Sequence, residues 1–345
     1  NDFISDFNQN DTEDRQNFVP DYEEPFLRYH VDRPEFLFGI DMNNNGWVDR
    51  FENDEEPDYP YRRDHRGYNA YGGVFITPEA RLTVGRLSEV LIDGDGENRS
   101  TYLLLTYDRD LAGFGRLRFY ENFRLVKDNI ANNLFQWVQP ANSRGTQQRI
   151  FDPLPARDTW VNTSYLQLDF RRVSRLNVIN KLKVDVYNQR GQQGELRGVS
   201  SFVGLINKAD YIFDVGRFEI EPRIKSEFVR ERPFRQRDPA RRELTETLFL
   251  IARFPMLRQT IIELGLELSH FEQFRDDAEG VPLHRNIAPD SNSRILAIQF
   301  ANASDFLGYK LHVQTGFRLQ RETFKNLPTS TTSTIFMTAY AGLER

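Results

Sequence analysis

The chain of 345 residues contains no cysteine and no hydrophobic run long enough to cross a membrane as a helix. Without cysteine there are no disulfides, no thiolate metal sites and no cysteine nucleophile. A membrane helix needs about 18 or more consecutive apolar residues, so we expect none here. The formal net charge of −6 disfavours nucleic acid as a partner, because domains that bind nucleic acid are generally basic.

Catalytic signatures are also scarce. None of the five histidines occurs in H-E-x-x-H or another metal-binding spacing, and the chain has neither G-x-S-x-G nor a P-loop. We therefore expect that the protein is not an enzyme, and we assign no catalytic residue. His312 is expected to be a hydrogen-bonded histidine of a strand rather than a catalytic base.

The chain does contain long predicted strands in which apolar and polar residues alternate. In Tyr309–Glu322 every second residue is apolar or Thr, from Tyr309 to Leu319, and the residues between them are all hydrophilic or Gly. Successive strand residues point to opposite faces. One face of this strand is therefore apolar and the other polar, as in a wall with hydrocarbon on one side. The alternative is a soluble antiparallel sheet with one solvated face.

Three further segments divide in the same way: Leu176–Tyr187, Arg217–Phe228 and Ile261–Phe271. If the sheet closes, their polar faces line its interior. The predicted interior residues are Lys181, Lys183, Asp185, Arg217, Glu219, Glu221, Arg223, Lys225, Glu227, Glu263, Glu267, Lys310, His312, Gln314 and Arg318.

The connections between strands alternate between very short turns, such as Pro78-Glu79, and long polar loops, such as 129–157. Bacterial outer-membrane barrels combine short periplasmic turns with long extracellular loops. The chain resembles this class over residues 25–345, and the first strand is expected between residues 25 and 40. The resemblance implies an all-β fold: a closed antiparallel transmembrane β-barrel of about 14 strands, in the bacterial outer membrane. Residues 1–24, acidic and polar, are expected to form a tether or plug segment.

One motif predicts a metal. Residues 41–52, within the predicted extracellular loop 42–67, match the calcium-loop pattern D-x-[DN]-x-[DN]-G-x5-E, although no flanking helices are evident. Hard oxygen ligands at alternating positions suit a structural Ca²⁺. The alternative is a solvated turn. The predicted ligands are the side chains of Asp41, Asn43, Asn45, Asp49 and Glu52, with the backbone carbonyl of Trp47.

Three functions remain open at this stage. The first is a passive porin-like pore for small polar solutes, because an interior of mixed charge favours such solutes over strong ion selectivity. The second is an occluded barrel that serves as a membrane anchor or a structural subunit of a cell-surface complex. The third is a soluble, calcium-stabilised β-protein that binds surface glycans or proteins. The expected partners are outer-membrane lipid and other envelope or surface proteins; the sequence indicates no oligomeric state.

Overall fold

The computed structural model describes residues 27–30, 32–49, 64–138, 146–150, 152, 156–190, 197–234, 240–257, 259–274, 289–306, 309–325 and 327–343. It is all-β, with one sheet of 14 antiparallel strands and a separate two-stranded hairpin. Two short 3-10 turns, η1 (Leu27–Tyr29) and η2 (Pro34–Phe36), precede the sheet. In the described part of the chain no helix is long and apolar enough to span a membrane.

The strands are β1 (His65–Thr77), β2 (Ala80–Leu91), β3 (Glu97–Leu111), β4 (Gly115–Asp128), β5 (Leu134–Val138), β6 (Thr146–Ile150), β7 (Thr159–Phe170), β8 (Leu176–Gln189), β9 (Gly198–Tyr211), β10 (Phe213–Val215), β11 (Phe218–Arg232), β12 (Arg241–Leu257), β13 (Thr260–Gln273), β14 (Ser291–Phe306), β15 (Tyr309–Phe324) and β16 (Ser330–Leu343).

The sheet is a meander in which each long strand pairs with the next long strand of the sheet. The predicted count of about 14 strands is confirmed, although β10 has only three residues and pairs only with β11. The path of hydrogen-bonded strands runs from β1 to β16. It contains 13 long strands, and neighbours are antiparallel, so its first and last strands run in the same direction.

The connections between strands differ in length at the two ends of the strands. At one end, β1 and β2 are joined by residues 78–79, and β3 and β4 by residues 112–114. At the other end, residues 129–158 join β4 to β7 and contain the β5–β6 hairpin. We call these two ends of the strands the short-turn edge and the long-loop edge, as distinct from the edge strands β1 and β16.

Pro222 lies inside β11, where a missing backbone N–H is unfavourable. The ladder between β11 and β9 begins only at Arg223, and the ladder with β10 ends at Ile220. Pro222 therefore falls where β11 changes neighbour on that side, and pairs only with Leu250 of β12.

The first strand predicted between residues 25 and 40 is wrong. The described residues 27–30 and 32–49 contain only η1 and η2 and lie against one face of the sheet. Pro34 has no backbone N–H for a ladder, and Tyr29 and Phe36 are buried against the sheet rather than exposed on an outer surface. We call residues 27–30 and 32–49 the interior segment, and the face of the sheet that they contact the inner face. Residues 1–24, the predicted tether or plug, lie outside the described residues.

The interior segment crosses the inner face from the short-turn edge to the long-loop edge. Tyr29 bonds to Asp210, next to the last residue of β9 at the short-turn edge. Asn44 bonds to Asn98, the second residue of β3 at the long-loop edge. The chain thus reaches the long-loop edge, where β1 begins, by crossing the inner face.

The two faces of the sheet reverse the burial order of a soluble protein. Charged inner-face residues such as Lys225 and Glu267 are buried, whereas large apolar side chains of the opposite, outer face are exposed on nearly every strand. The exposed outer set includes Val84, Leu103, Leu125, Leu166, Leu182, Leu205, Ile224, Leu248, Leu250, Leu264, Leu266, Leu268, Leu296, Phe300, Phe317, Leu319, Ile335 and Met337.

Candidate functional site

The centre of the inner face holds one carboxylate among three lysines. Asp32 of the interior segment lies 2.6 Å from Nζ of Lys181, 2.8 Å from Nζ of Lys208 and 3.2 Å from Nζ of Lys225. Burial alone would raise the pKa of Asp32, but the three ammonium groups outweigh burial and lower the pKa from 3.8 to about 2. Asp32 is therefore a carboxylate at neutral pH. We call these four side chains the three-lysine cluster.

Lysines of the sheet also donate hydrogen bonds to backbone carbonyls of the interior segment. Lys183 Nζ donates to the carbonyls of Glu35 and Leu37, at 2.8 and 2.7 Å. Lys208 donates to the carbonyl of His30, and Lys225 to that of Arg28. A buried stretch without a ladder needs such partners, because an unpaired buried carbonyl is costly. The inner face is thus complementary to this segment at the level of its backbone.

Ion pairs with residues of β12 and β13 also hold the interior segment. Arg33 donates to Glu243 Oε2 at 2.7 Å, and Arg28 lies 3.5 Å from Glu267. Glu35 lies 3.2 Å from Arg241 of β12. The segment therefore bridges carboxylates of β12 and β13 and lysines of β8, β9 and β11.

Two apolar clusters complete the contact. Tyr29 packs with Phe249, Ile251 and Ala297, and its hydroxyl donates a 2.6 Å hydrogen bond to Asp210 Oδ1. Burial, followed by this hydrogen bond, raises the pKa of Tyr29 well above its usual range, so the phenol stays protonated.

Phe36 forms the second cluster, together with Phe202, Ile206 and Val229. The rings of Phe36 and Phe202 meet edge to face, with centroids 5.7 Å apart. These inner-face apolar residues of β9 and β11 lie where the interior segment covers the sheet.

The predicted calcium loop folds through a series of side-chain turns. Asp41 Oδ2 accepts a hydrogen bond from the Gly46 N–H, Asn43 Oδ1 from that of Asn45, and Asn45 Oδ1 from that of Trp47. Asp49 Oδ1 accepts from the Met42 N–H. Gly46 has φ +90°, a conformation that favours glycine. Four of the predicted ligands therefore turn their oxygens inward.

A buried arginine already occupies one side of this loop. Arg124 of β4 donates to the Asp41 carbonyl and to Asn44 Oδ1, and lies 3.4 Å from Asp41 Oδ2. Burial raises the pKa of Asp41, although the guanidinium of Arg124 acts in the opposite direction. Asp41 Oδ1 is buried and accepts no hydrogen bond within the described residues.

The loop meets some of the requirements of a calcium site but not all of them. The unpartnered Asp41 Oδ1 and the amide oxygens are ligands of the kind that Ca²⁺ takes. Glu52, the predicted bidentate ligand, lies outside the described residues. Among the residues that the structure does describe, no three His, Cys, Asp or Glu side chains form a metal-binding group.

The predicted interior residues mostly share the inner face. Those of β8, β11 and β13 pair with the interior segment, with one another or with an arginine of β12. Lys183 lies 3.0 Å from Asp185, and Lys225 lies 3.2 Å from Glu227. Arg253, which the sequence did not single out, joins Glu219, Glu221 and Glu263 at 2.7–2.8 Å.

The remaining residues of the set differ in their surroundings. Lys310 lies in β15, and His312, Gln314 and Arg318 follow at alternating positions of that strand. Arg318 donates to Gln320, and His312 is exposed. Arg217 does not belong to the inner face. It is exposed in the turn after Gly216 (φ +67°), where the chain reverses before β11.

A cavity of about 640 Å³ opens between the interior segment and strands β4, β7, β8, β9 and β11. Its lining combines aromatic residues, including Trp47 and Tyr187, with the charged Lys183 and Asp185. A second cavity, of about 460 Å³, lies between residues 40–42 and strands β1 to β4.

The chain matches no protein-family model and no curated protein sequence. Among solved structures it is similar to OmpT, an outer membrane protein of Vibrio cholerae. The loop L8 deletion mutant of OmpT is 7% identical, with a TM-score of 0.30, over 80% of this chain and 91% of that chain. In-vitro folded OmpT is 7% identical, with a TM-score of 0.31, over 80% and 89%. Its trimer form is 10% identical, with a TM-score of 0.31, over 81% and 99%. At these values the likeness assigns neither a family nor a function.

Proposed function

We propose that the protein is an outer-membrane β-barrel whose lumen is occluded by its own interior segment. It serves as a membrane anchor or as a structural subunit of a cell-surface complex. The observation that carries this proposal is the reversed burial of the two faces, with the charged inner face covered by the interior segment.

Lipid is the environment that suits the outer face. A soluble protein rarely exposes apolar patches beyond a few hundred Å², whereas a transmembrane barrel presents an apolar band to lipid. Outer-membrane lipid is accordingly the proposed partner of this face, and other envelope or surface proteins are candidates at the loops. A soluble β-protein would leave the same face in water.

Closure of the sheet is part of the proposal. The edge strands β1 and β16 carry exposed apolar residues on the outer side, among them Val74, Ile335 and Met337. Because the path has 13 long strands, β1 and β16 run in the same direction, and we propose that they close the barrel as a parallel pair. This removes two open edges, which otherwise invite aggregation.

A passive pore for small polar solutes is the second candidate. It is favoured by the part of the inner face beside this seam, where His312 of β15 and Tyr71 and Phe75 of β1 are exposed. The interior segment packs mainly on β4 to β14. A passage along β15, β16 and β1 would give the lumen an aqueous path.

A structural Ca²⁺ in the loop 41–52 is a further part of the proposal. Asp41, Asn43, Asn45 and Asp49 would supply oxygens together with the Trp47 carbonyl and Glu52. Arg124 occupies the Oδ2 side of Asp41, and the unpartnered Oδ1 supports a cation on the other side. Bound Ca²⁺ would neutralise the remaining acidic side chains of the loop.

Two measurements test the proposal. The chain has no cysteine, so Asp95→Cys at the long-loop edge and Ser174→Cys at the short-turn edge each introduce a single thiol. In intact cells an impermeant reagent should label the first and not the second; equal labelling contradicts the topology. In planar bilayers a closed barrel should give no steady conductance, and a steady conductance would select the pore instead.

A further inference from the structure

We propose that Lys181, Lys208 and Lys225 form an anion-binding site on the inner face, for which Asp32 acts as an internal ligand, and that a free carboxylate or phosphate anion competes with Asp32 for it. The inference rests on the proposed function only in taking the interior as a space that a small solute can enter.

The three lysines come from three neighbouring strands and converge on one point. Lys181 lies on β8, Lys208 on β9 and Lys225 on β11, and Lys208 is the direct register partner of Lys225. Like charges placed directly opposite each other destabilise a strand pair. An anion between them relieves this repulsion, and the oxygens of Asp32 lie 2.6–3.2 Å from all three Nζ atoms.

The sheet itself supplies only part of this negative charge. Lys225 has a second carboxylate, Glu227, at 3.2 Å. For Lys181 and Lys208, the part of the chain that the structure describes places one carboxylate within 4 Å, that of Asp32. Asp185 pairs with Lys183, and Asp210 accepts from Tyr29 and Asn177. The buried Lys208 and the half-buried Lys181 thus depend on a ligand that the sheet lacks.

The interior segment occupies the site as a bound ligand would. Besides the Asp32 carboxylate, the carbonyls of His30 and Arg28 take hydrogen bonds from Lys208 and Lys225. If the segment leaves, these donors turn to the lumen together with the three charges. Lysine is a flexible point charge that adapts to anions of different shape. An anion with one or two negative charges and several oxygens, a carboxylate or a phosphate, matches this set.

A route to the site adjoins it. Lys183 is two residues from Lys181 on the same inner face of β8 and lines the cavity of about 640 Å³ beside the interior segment. An incoming anion would meet Lys183 first and then Asp32 and its three lysines. Competition for the lysines would weaken one of the main contacts that hold the segment in place.

The experiment uses the full chain in detergent and replaces the internal ligand. Asp32→Ala should lower the midpoint of thermal unfolding. Sodium acetate, compared with sodium chloride at equal ionic strength, should then restore at least half of the loss in a saturable manner. Acetamide, which has the same shape without the charge, should restore nothing. Asp32→Asn, which fills the site with a neutral group, should not respond to acetate.

A matched control is Asp158→Ala, which removes a carboxylate paired with the exposed Arg190. Acetate should not stabilise this variant selectively. The proposal is overturned if acetate has no saturable effect on Asp32→Ala, or if it stabilises Asp158→Ala equally.

A second measurement applies even if Asp32→Ala does not fold. In the wild-type chain, inorganic phosphate should accelerate hydrogen exchange of residues 27–49 several-fold relative to chloride, and Lys208→Gln should abolish that effect. Exchange that is insensitive to phosphate in the wild type contradicts competition. Neither readout depends on membrane location or conductance, so failure of the site and failure of the proposed function are distinguished.

Discussion

Leu266 and Glu267 are consecutive residues of β13 with opposite burial: the leucine is 37% exposed and the glutamate 1% exposed. Glu267 faces Arg28 of the interior segment at 3.5 Å, whereas Leu266 points to the outer side. A water-soluble sheet would place the two the other way round. The reversal makes lipid contact testable at single residues.

Leu266→Arg should impair folding of the barrel in lipid. The residue lies at the middle of β13, and arginine on the lipid face near the bilayer midplane costs roughly 2–4 kcal/mol. Gln314→Arg is the control, because Gln314 lies on the inner side of β15, where a charge can be hydrated or paired. The heat-modifiable fraction of folded protein after reconstitution measures both. Equal losses would show that the outer face does not contact lipid.

Docking of the interior segment can be tested at Gly204 of β9. A Cβ atom there would lie 2.5 Å from Cζ of Phe36, so Gly204→Val should expel this ring. Overpacking of this kind costs roughly 1–3 kcal/mol, and part of it is relieved if the segment undocks. Trypsin should then cleave faster after Arg28, whereas the bond after Arg33 is protected by Pro34 in any state of the segment.

Gly72→Val is the matched control for Gly204, because a Cβ at Gly72 meets nothing within 4 Å. Its trypsin pattern should equal that of the wild type. Unchanged cleavage in Gly204→Val would mean that Phe36 does not anchor the segment.

The strand faces could be predicted from sequence where apolar and polar residues alternate strictly, as at Leu266 and Glu267. The rule fails where the interior segment packs. Phe202 and Ile206 are apolar residues of the inner face of β9, buried because Phe36 covers them. Alternation within one strand carries no information about a distant segment that docks on it.

The principal contacts of the site escaped prediction for the same reason. Asp32 meets its lysines across more than 140 positions of the chain, and Arg124 meets Asp41 across 83. The three lysines and Arg124 stand in no local motif. The calcium pattern could be found because its ligands are close in sequence, but the arginine beside it could not.

Acid should weaken docking in a defined pH range. The pKa of Asp32 is lowered by its lysines from 3.8 to about 2. A carboxyl group with a depressed pKa contributes stability above its unfolded pKa, and this contribution is lost as the pH falls through the folded pKa. The contribution here is roughly 2 kcal/mol.

The difference in unfolding midpoint between the wild type and Asp32→Asn measures this contribution. It should be constant above pH 5 and shrink between pH 4 and pH 2. A difference that is lost already at pH 5, or that is unchanged at pH 2, would contradict the pairing.

Calcium is expected to bind the loop 41–52 without displacing Arg124, because the guanidinium contacts Oδ2 of Asp41 and leaves Oδ1 for the ion. The dissociation constant should be on the order of 10⁻⁴–10⁻³ M, as for extracellular sites. Binding should slow proteolysis of residues 41–67, since the ion ties the acidic side chains into one shape.

Glu52→Gln tests this assignment, because an amide cannot replace a bidentate carboxylate and should weaken calcium binding at least tenfold while the sheet stays folded. Asp95→Asn, in the exposed Asp93–Glu97 turn, is the control and should leave the binding heat unchanged. Calorimetric titration of both variants, with proteolysis in the presence and absence of a chelator, separates the outcomes. If heat and protease resistance are the same in the wild type and in Glu52→Gln, the loop holds its shape through Arg124 and its own side-chain turns and is not a calcium site.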